Sequence, residues 1–487
     1  MHVVGLVIDG RVNAVGGRGV YPSHDPYRGE PWATVADAGD DDVDRAVRSS
    51  RAAFAAWSVV PAPERGRLLT AFADAVVADA KLLAEMETRD TGKLLREMRG
   101  QIDALPEWFR YFGGLADKVG GEVLSTGKPD YFVYTTEVPV GVVAAVTSWN
   151  SPALLLAWKL APALAAGCTV VAKPSEYSPA SAVRLAEIAL EVGFPPGVFN
   201  VITGSGAAAG EALVRHPDVD KIAFTGSVGV GRQVAHVAAD RMARTTLELG
   251  GKSAQLVFDD ADLTAATNGV LAGIFAASGQ SCMAGSRLLV QRSVAAELVS
   301  RLVDRATSIR MGDPMDPATE MGPLANPAQF EKVIGYLDTA RAEGVEVLAG
   351  GGPRESLGKL FFEPTILRHD DTRSALWREE IFGPVLSVLP FDDEAEAIEL
   401  ANGTSFGLAA GLWTQDLSRV HSVVAALRAG SVWVNAYRTV APQVPFGGIG
   451  ISGIGRESGR RAMDTYRETK AVWTETTGAS RDPFVLG

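Results

Sequence analysis

The chain has 487 residues, of which 47% are hydrophobic and 21% are charged, a composition typical of globular proteins. At roughly 100 to 200 residues per domain, this length predicts two or three domains with a cleft between them. The formal net charge of -12 repels phosphate backbones and anionic lipid, so it argues against binding to nucleic acid or to a membrane surface.

The chain start and the cysteines predict a cytoplasmic protein. The opening "MHVVGLVIDGRV" lacks a basic region followed by an apolar core, so no secretory signal is expected. The longest apolar stretch is interrupted by Lys159 and Pro162 and falls short of a membrane span. Cys168 and Cys282 are far apart, fit a reducing compartment and form no disulfide framework. The histidines lack metal-binding spacing, so we expect no metal site.

Helical periodicity begins at Asp42, and an exposed strand follows the helical segments. Apolar residues recur at helical intervals in "DVDRAVRSSRAAFAAW" and in "PERGRLLTAFADAVVADAKLLAEM", which predicts a helix-rich region. The stretch "GKPDYFVYTTEVPVG" instead alternates its side chains and is bounded by Gly and Pro. This pattern predicts a strand exposed on one face, as in an arm that leaves the domain.

Strands and helices then alternate along the chain. Short β-branched runs predict strands, and segments such as "SPALLLAWKLAPALAAG" predict the helices between them; the runs are "VGVVAAVTSW", "TVVAKP", "VFNVIT", "VDKIAFTG" and "RTTLELGG". This alternation is typical of a doubly wound parallel sheet, whose ligands bind beyond the carboxyl ends of its strands. The pattern restarts with "SAQLVF", so we predict an α/β protein with a second α/β domain and a small β arm. The tail "AVWTETT" could pair with the Tyr131 strand or with another subunit.

Cys282 lies in the stretch "GIFAASGQSCMAGSR", among small residues whose backbone N–H groups could converge on it. A thiol of ordinary pKa is largely neutral at physiological pH, so a nucleophilic cysteine needs such positive partial charge nearby. The stretch by itself fits a nucleophile or a structural thiol equally well. Cys168 enters an apolar strand, where a cysteine behaves as a small core residue.

Two further polar residues end predicted strands. Glu248 precedes a Gly-Gly pair at the end of an apolar strand, and an apolar crevice would raise its pKa toward the range of a general base. Asn150 in "TSWNSP" has an amide that can donate hydrogen bonds to an oxyanion. A capping carboxylate and a turn-forming or N-cap asparagine remain the alternatives.

Together these stretches resemble the aldehyde dehydrogenase superfamily over nearly the whole chain. The family order and spacing are present in "TSWNSP", "KPSEYSP", "FTGSVGVG", "LELGGKS", "GQSC", "EEIFGPV" and "PFGGIGISGIGRE". The resemblance implies that Cys282 attacks the aldehyde carbonyl and that the Asn150 amide and the Cys282 N–H hold the oxyanion. Hydride transfer to nicotinamide then leaves a thioester, which water activated by Glu248 hydrolyses to the carboxylic acid.

The resemblance also implies where NAD binds. Lys173 and Glu176 would contact the adenosine ribose and Ser227 the pyrophosphate, with Trp149 near the same cleft. Glu380 and Phe382 match positions at the nicotinamide ribose and ring. An acidic side chain accepts hydrogen bonds from a free 2'-hydroxyl and repels a 2'-phosphate, so Glu176 favours NAD over NADP.

The residues that shape the aldehyde tunnel follow from the same resemblance, with an ordinary core role as the alternative for each: Leu155, Trp158, Tyr437, Val440 and Phe446. Two positions depart from the family pattern. Ser151 replaces a common aromatic residue and is expected to widen or re-polarise the pocket, and Gly450 replaces a frequent lysine. Arg438 could meet a substrate carboxylate or lie at the surface.

The resemblance implies a division of the chain and a homo-oligomer. Residues 1–120 and 140–250 would bind NAD, residues 251–450 would form the catalytic domain, and residues 121–139 and 451–487 would form the oligomerisation arm and tail. A homodimer and a homotetramer both fit this arm. Two other activities remain as alternatives: a semialdehyde dehydrogenase that acylates coenzyme A, whose relatives generally lack the base at Glu248, and a non-catalytic nucleotide-binding relative.

Overall fold

The computed structural model describes residues 2–478 together with Asp482 and Phe484. The first strands and helices are β1 His2–Val4, β2 Leu6–Ile8, β3 Arg11–Asn13, β4 Val20–His24, β5 Pro31–Ala36, α1 Asp40–Trp57, α2 Ala62–Ala78, α3 Ala80–Thr91, α4 Leu95–Leu115, β6 Val123–Leu124 and β7 Tyr131–Pro139. The next are β8 Val142–Val146, α5 Pro152–Ala166, β9 Thr169–Lys173, α6 Ala180–Glu191, β10 Phe199–Val201, α7 Glu211–Arg215, β11 Lys221–Thr225, α8 Val228–Ala239 and β12 Arg244–Glu248. The remainder are β13 Ala254–Val257, α9 Leu263–Ile274, β14 Arg287–Gln291, α10 Arg292–Thr307, α11 Pro327–Glu343, β15 Glu346–Ala349, β16 Thr365–Arg368, α12 Ala375–Arg378, β17 Val385–Phe391, α13 Glu394–Asn402, β18 Ala409–Trp413, α14 Leu417–Ala426, β19 Ser431–Val434, β20 Gly453–Ile454 and β21 Arg467–Glu475.

The first large sheet has the strand order β20-β12-β11-β8-β9-β10-β2-β3. Its central strands β12, β11, β8, β9 and β10 run parallel, as predicted, and antiparallel strands close both edges. Alternate residues of β8 face opposite hydrophobic clusters: Val143 and Ala145 face one, whereas Val142 and Ala144 face the other. Helices therefore cover both faces, which explains why the predicted strands are apolar throughout.

The second large sheet has the order β15-β16-β17-β14-β13-β18-β19, and only the pairing of β15 with β16 is antiparallel. Its strands also alternate between cores, since Leu288 and Val290 belong to one cluster and Leu289 to another. The predicted α/β class with two parallel-sheet regions is confirmed.

A separate three-stranded sheet forms the arm, in the order β21-β7-β6. Strand β21 pairs antiparallel with β7 from Arg467 opposite Pro139 to Glu475 opposite Tyr131. The tail therefore pairs with the Tyr131 strand of its own chain, which was one of the two predicted alternatives.

The structure contains short strands near both ends of the chain that the sequence pattern does not indicate. Five of them precede α1, and the helices predicted from Asp42 onward follow as α1 to α4. The predicted division also placed all of residues 451–487 in the arm and tail, whereas β20 lies on the first large sheet with Ile454 opposite Leu247. Both features depend on partners far along the chain, which local periodicity does not reveal.

A membrane-crossing helix is not found within the described part of the chain: none of its helices has the length and apolar character required.

Candidate active site

The crevice lies where the strand order of the first large sheet reverses. After β8 the chain moves outward through β9 and β10, and then returns to the other side of β8 to form β11. The loops that follow β8 and β11 therefore diverge, and they leave an opening at the carboxyl ends of these strands. Trp149 and Asn150 follow β8, Ser227 follows β11, and Glu248 ends the adjacent strand β12.

A strained turn leads to Cys282. Ala277, Ser278 and Gly279 all adopt left-handed backbone conformations, with φ of 56°, 54° and 72°. A Cβ atom on Gly279 would lie 2.1 Å from the carbonyl oxygen of Gly383, so only glycine fits there. Left-handed backbone at two non-glycine residues is costly and persists only where surrounding contacts hold it. The turn leaves Cys282 partly exposed in the crevice.

Asn150 faces this turn. Its Nδ2 donates to the carbonyl oxygen of Gln280 at 3.1 Å, and its Oδ1 accepts from the Ser148 hydroxyl at 2.7 Å. The serine contact therefore orients the amide so that its donor side faces the cysteine loop. The Lys93 ammonium donates to the Asn150 carbonyl oxygen, and the Ser151 hydroxyl donates to the same oxygen at 2.7 Å. The departure at Ser151 thus adds a polar contact to the backbone of Asn150.

Glu248 is a buried carboxyl group, 4% exposed. Neither of its carboxyl oxygens has a hydrogen-bond partner among the residues that the structure describes. Burial, reinforced by the negative charge of Glu457, raises the pKa of Glu248 well above its ordinary value. An unpartnered carboxyl group with a raised pKa is suited to accept a proton from water. Gly447 allows this placement, because a Cβ there would lie 2.7 Å from Glu248 Oε1.

A buried ion pair lies beside Glu248. Lys159 and Glu457 pair with each other, and Lys159 Nζ also donates to Thr225 Oγ1 at 2.5 Å. In the sequence, Lys159 interrupts an otherwise apolar segment. A lone lysine within an otherwise apolar helix was itself a signal, because lysine is almost never fully buried unless it is paired.

The Cys282 thiol is protonated in this environment. Burial and the carboxyl groups of Glu380 and Glu248 raise its pKa to about 12, against the smaller opposing effects of the Met283 N–H and the Arg438 guanidinium. Glu380 Oε1 accepts from the Gly251 N–H at 3.0 Å, whereas Glu248 has no such contact in the described structure. Glu248 is therefore the better placed of the two to accept a proton from an attacking water.

Lys173 and Glu176 lie at the carboxyl end of β9 and after it. Lys173 is buried, and its Nζ lies 3.5 Å from Glu176 Oε2. Glu176 Oε1 also accepts from the Gly206 N–H at 3.3 Å. Although burial opposes it, the Lys173 charge lowers the pKa of Glu176, so this residue is a carboxylate that can accept hydrogen bonds from ribose hydroxyls.

The start of α8 can hold an anion. Ser227 caps this helix by accepting from the Val230 N–H at 3.4 Å. The first N–H groups of a helix carry positive partial charge, which favours phosphate. A Cβ on Gly229 would meet no described atom within 4 Å, so the first turn has room for a ligand.

Across the crevice, the Trp149 and Phe382 rings meet edge to face with centroids 5.3 Å apart. These residues fit a dinucleotide.

Most of the predicted tunnel residues line one apolar region. Leu155, Trp158 and Phe446 belong to one buried cluster, and Cys282 and Val440 pack against it. The Trp158 and Phe446 rings are 5.0 Å apart. Tyr437 packs against a different cluster, but its hydroxyl donates to the carbonyl oxygen of Met283, next to the cysteine, at 2.9 Å.

The structure also contains charged neighbours that the sequence patterns do not indicate. Lys93, just before α4, and Glu97, in its first turn, contact the loops that hold Asn150 and Cys282. Trp108 of the same helix stacks on Trp158 with ring centroids 5.9 Å apart. The departure at Gly450 has φ of 62° and lies on the exposed surface. No cluster of three or more potential metal-binding side chains occurs in residues 2–478 or at positions 482 and 484.

The chain is similar to known enzymes over nearly its whole length. The family model described as "Aldehyde dehydrogenase family" matches residues 14–472. The (Z)-2-((N-methylformamido)methylene)-5-hydroxybutyrolactone dehydrogenase of Acinetobacter baylyi is 45% identical, with 96% of this chain and 97% of that protein covered. A betaine aldehyde dehydrogenase of Cereibacter sphaeroides is 45% identical over 92% of each chain.

Solved structures agree with these sequence relatives. A betaine aldehyde dehydrogenase from Staphylococcus aureus, in complex with NAD+, superposes with a TM-score of 0.97 at 38% identity and covers 100% of this chain and 98% of its own. A point mutant of that enzyme, also with a TM-score of 0.97 and 38% identity, holds NAD+ together with a BME-modified cysteine; the match covers 100% of both chains. The chain belongs to the aldehyde dehydrogenase family.

Proposed function

We propose that this aldehyde dehydrogenase oxidises its substrate to the carboxylic acid with NAD, and that Cys282, Asn150 and Glu248 carry out the reaction. The observation that carries the proposal is their arrangement around one crevice. The Asn150 amide donates to the backbone two residues before Cys282, and the unpartnered Glu248 carboxyl group is close enough to raise the pKa of the thiol. A nucleophile, an oxyanion donor and a base are thus brought together.

Acylation begins when Cys282 releases its proton to solvent water and its sulfur forms a bond to the aldehyde carbon. The carbonyl oxygen becomes an oxyanion, which accepts hydrogen bonds from Asn150 Nδ2 and from the Cys282 N–H. Because the Ser148 contact already fixes the amide, little reorganisation is needed as charge develops. When bound, NAD supplies the two-electron acceptor that takes a hydride from the substrate carbon.

Deacylation requires a base. Glu248 removes a proton from water as the water oxygen attacks the thioester carbonyl, the carbon–sulfur bond breaks, and the acid leaves. The buried, unpartnered carboxyl group supports this role over transfer of the acyl group to coenzyme A. Product analysis with and without coenzyme A tests the point: an acyl-coenzyme A product formed in preference to the free acid would contradict it.

NAD would be held by both regions of the crevice. Lys173 and Glu176 would bind the adenosine ribose, Ser227 and the start of α8 the pyrophosphate, and Glu380, Phe382 and Trp149 the nicotinamide end. We accordingly propose that residues 1–120 and 140–250 form the NAD-binding region and residues 251–450 the catalytic region, which contributes Glu380 and Phe382 to the cofactor site. The NAD+ complexes of the Staphylococcus aureus relative support NAD as the cofactor.

Glu176→Gln is expected to relax the preference for NAD. The substitution removes the charge that would repel a 2'-phosphate, and it leaves the Lys173 ammonium, now 3.5 Å from Glu176 Oε2, free to bind that phosphate. The ratio of kcat/KM for NAD to that for NADP should fall by about 10-fold or more, which corresponds to about 1.4 kcal/mol. Glu211→Gln, an exposed carboxylate on α7, is the control. An unchanged ratio in Glu176→Gln would contradict the ribose assignment.

We also propose that the β arm joins copies of the chain into a homodimer or homotetramer. The arm exposes apolar side chains at Phe132 and Trp473, and its outer strand exposes Val123. Such a sheet edge is normally covered or paired. Light scattering during gel filtration should give a mass of two or four chains, and Phe132→Glu with Trp473→Glu should lower it. A monomeric parent protein would refute the proposal.

A cytoplasmic location fits the two free thiols, Cys168 and Cys282. Fractionation of native cells tests it, and recovery of the protein outside the cytoplasm would contradict it.

The experiment that tests the function is NADH formation at 340 nm. Purified protein with NAD or NADP is assayed against neutral aliphatic, aromatic, carboxylate-bearing and trimethylammonium aldehydes, with betaine aldehyde included because several relatives are named for it. We expect turnover of at least one aldehyde with NAD and recovery of its acid. NAD binding without turnover of any aldehyde would favour the non-catalytic alternative.

A further inference from the structure

We propose that Glu97 and Arg438 are positioning residues that hold the strained turn before Cys282, and thereby set where the thiol lies. The inference rests on the proposed function for its catalytic consequence. Its structural part concerns a single peptide group, between Ala276 and Ala277, at the point where the chain enters the left-handed turn.

Two side chains from distant parts of the sequence bind this peptide group. Glu97 Oε1 accepts from the Ala277 N–H at 2.9 Å. Arg438 Nη1 lies 3.5 Å from the carbonyl oxygen of Ala276 and 2.9 Å from that of Ala272. The donor and the acceptor of one peptide bond are thus contacted by opposite charges, which restricts its rotation.

The Arg438 contact satisfies a backbone carbonyl group in the last turn of helix α9. The last carbonyl groups of a helix lack intrahelical partners and carry negative partial charge, so a guanidinium stabilises them. Arg438 supplies that positive charge at the carbonyl oxygen of Ala272, in the last turn of α9, and at that of Ala276, two residues after the helix ends. The backbone of Arg438 is itself left-handed, with φ of 68°. The following residues, Ala277 and Ser278, are left-handed non-glycine residues, a conformation that needs outside contacts to persist.

Helix α4 links this turn to the oxyanion donor. Lys93, just before the helix, donates to the Asn150 carbonyl oxygen, and Glu97, in its first turn, holds Ala277. The loop that holds Asn150 and the turn before Cys282 are therefore both held by contacts at the start of α4. A shift of the turn after loss of Glu97 would move Cys282 relative to Asn150, and a misplacement of about 1 Å can reduce catalysis about 100-fold.

The test compares Glu97→Leu with Glu97→Gln, since a glutamine oxygen can still accept from Ala277. One readout needs no substrate: the rate at which iodoacetamide alkylates Cys282, mapped by peptide mass, with fully buried Cys168 as the internal control. The other is the pre-steady-state burst of NADH. We expect Glu97→Leu to change the alkylation rate and to slow the burst by about 10-fold or more, at unchanged NAD affinity, with Glu97→Gln close to the parent.

Parental alkylation and burst rates in Glu97→Leu would overturn the proposal, as would equal defects in the Leu and Gln variants. If Glu97→Leu does not fold, Arg438→Met against Arg438→Lys answers the same question by the same readouts. If the parent protein oxidises no aldehyde, the proposed function fails, whereas the alkylation rates still decide whether Glu97 and Arg438 position Cys282.

Discussion

Cys282→Ala is expected to lower aldehyde oxidation by about 1,000-fold or more while leaving NAD binding intact. The substitution removes the sulfur that is proposed to bond to the aldehyde carbon, so no thioester can form. The fold should persist, because Cys282 is partly exposed and ends no strand or helix. Steady-state NADH formation and the NAD dissociation constant, measured on the same preparation, check the prediction.

Cys168→Ala is the matched control. Cys168 is completely buried, and its thiol contacts the carbonyl oxygen of Tyr466 at 3.3 Å. Its loss should cost stability of about 1 kcal/mol and leave turnover near that of the parent. A Cys282→Ala protein that oxidised aldehydes at the parental rate would exclude the cysteine as nucleophile.

Glu248→Gln is expected to separate acylation from hydrolysis. Glutamine keeps the size of the side chain but cannot accept a proton from water, so the acyl-enzyme should form and then persist. We expect a burst approaching one NADH per active site, followed by turnover that is about 100-fold slower or more. Intact-protein mass should show the added acyl group on Cys282. Hydrolysis at the parental rate would assign the base to another residue, and Glu380→Gln would test the nearest alternative.

The same variant should remove a pH dependence. Because burial and Glu457 raise the pKa of Glu248, the parent enzyme needs a higher pH than an ordinary glutamate would to hold the base as carboxylate. The deacylation rate should therefore rise with pH through this raised pKa, and it should fall as the group protonates at lower pH. Glu248→Gln should lack this rise, whereas Glu107→Gln, exposed on α4, should keep the parental profile. A parental profile in Glu248→Gln would contradict the assignment.

The parallel sheets were predictable because their strands are buried on both faces. Near-continuous apolar runs such as those at β8 and β9 are required wherever helices cover both sides of a sheet. The local sequence pattern therefore predicts a parallel sheet with helices on both faces. The motifs that carry the family resemblance are equally local, and they marked Cys282, Asn150 and Glu248 before any contact was known. The arm strand β7 was visible for the same reason, since one exposed face imposes alternation along the strand.

The contacts between these motifs were not predictable, because they join residues hundreds of positions apart. Glu457, which follows β20, lies near Lys159 because β20 pairs with the first sheet. The hydrogen bond between Glu97 and Ala277 joins residues 180 positions apart. Residue types and periodicity by themselves determined the fold class, the family resemblance and the candidate nucleophile, donor and base. Tertiary structure decided that Glu248 is buried with no hydrogen-bond partner in the described part of the chain, that an ion pair lies beside it, and that residues at the start of α4 contact the loops that hold Asn150 and Cys282. The physical reason is that burial and hydrogen-bond partners are properties of the packed chain, whereas helical and strand patterns are properties of neighbouring residues.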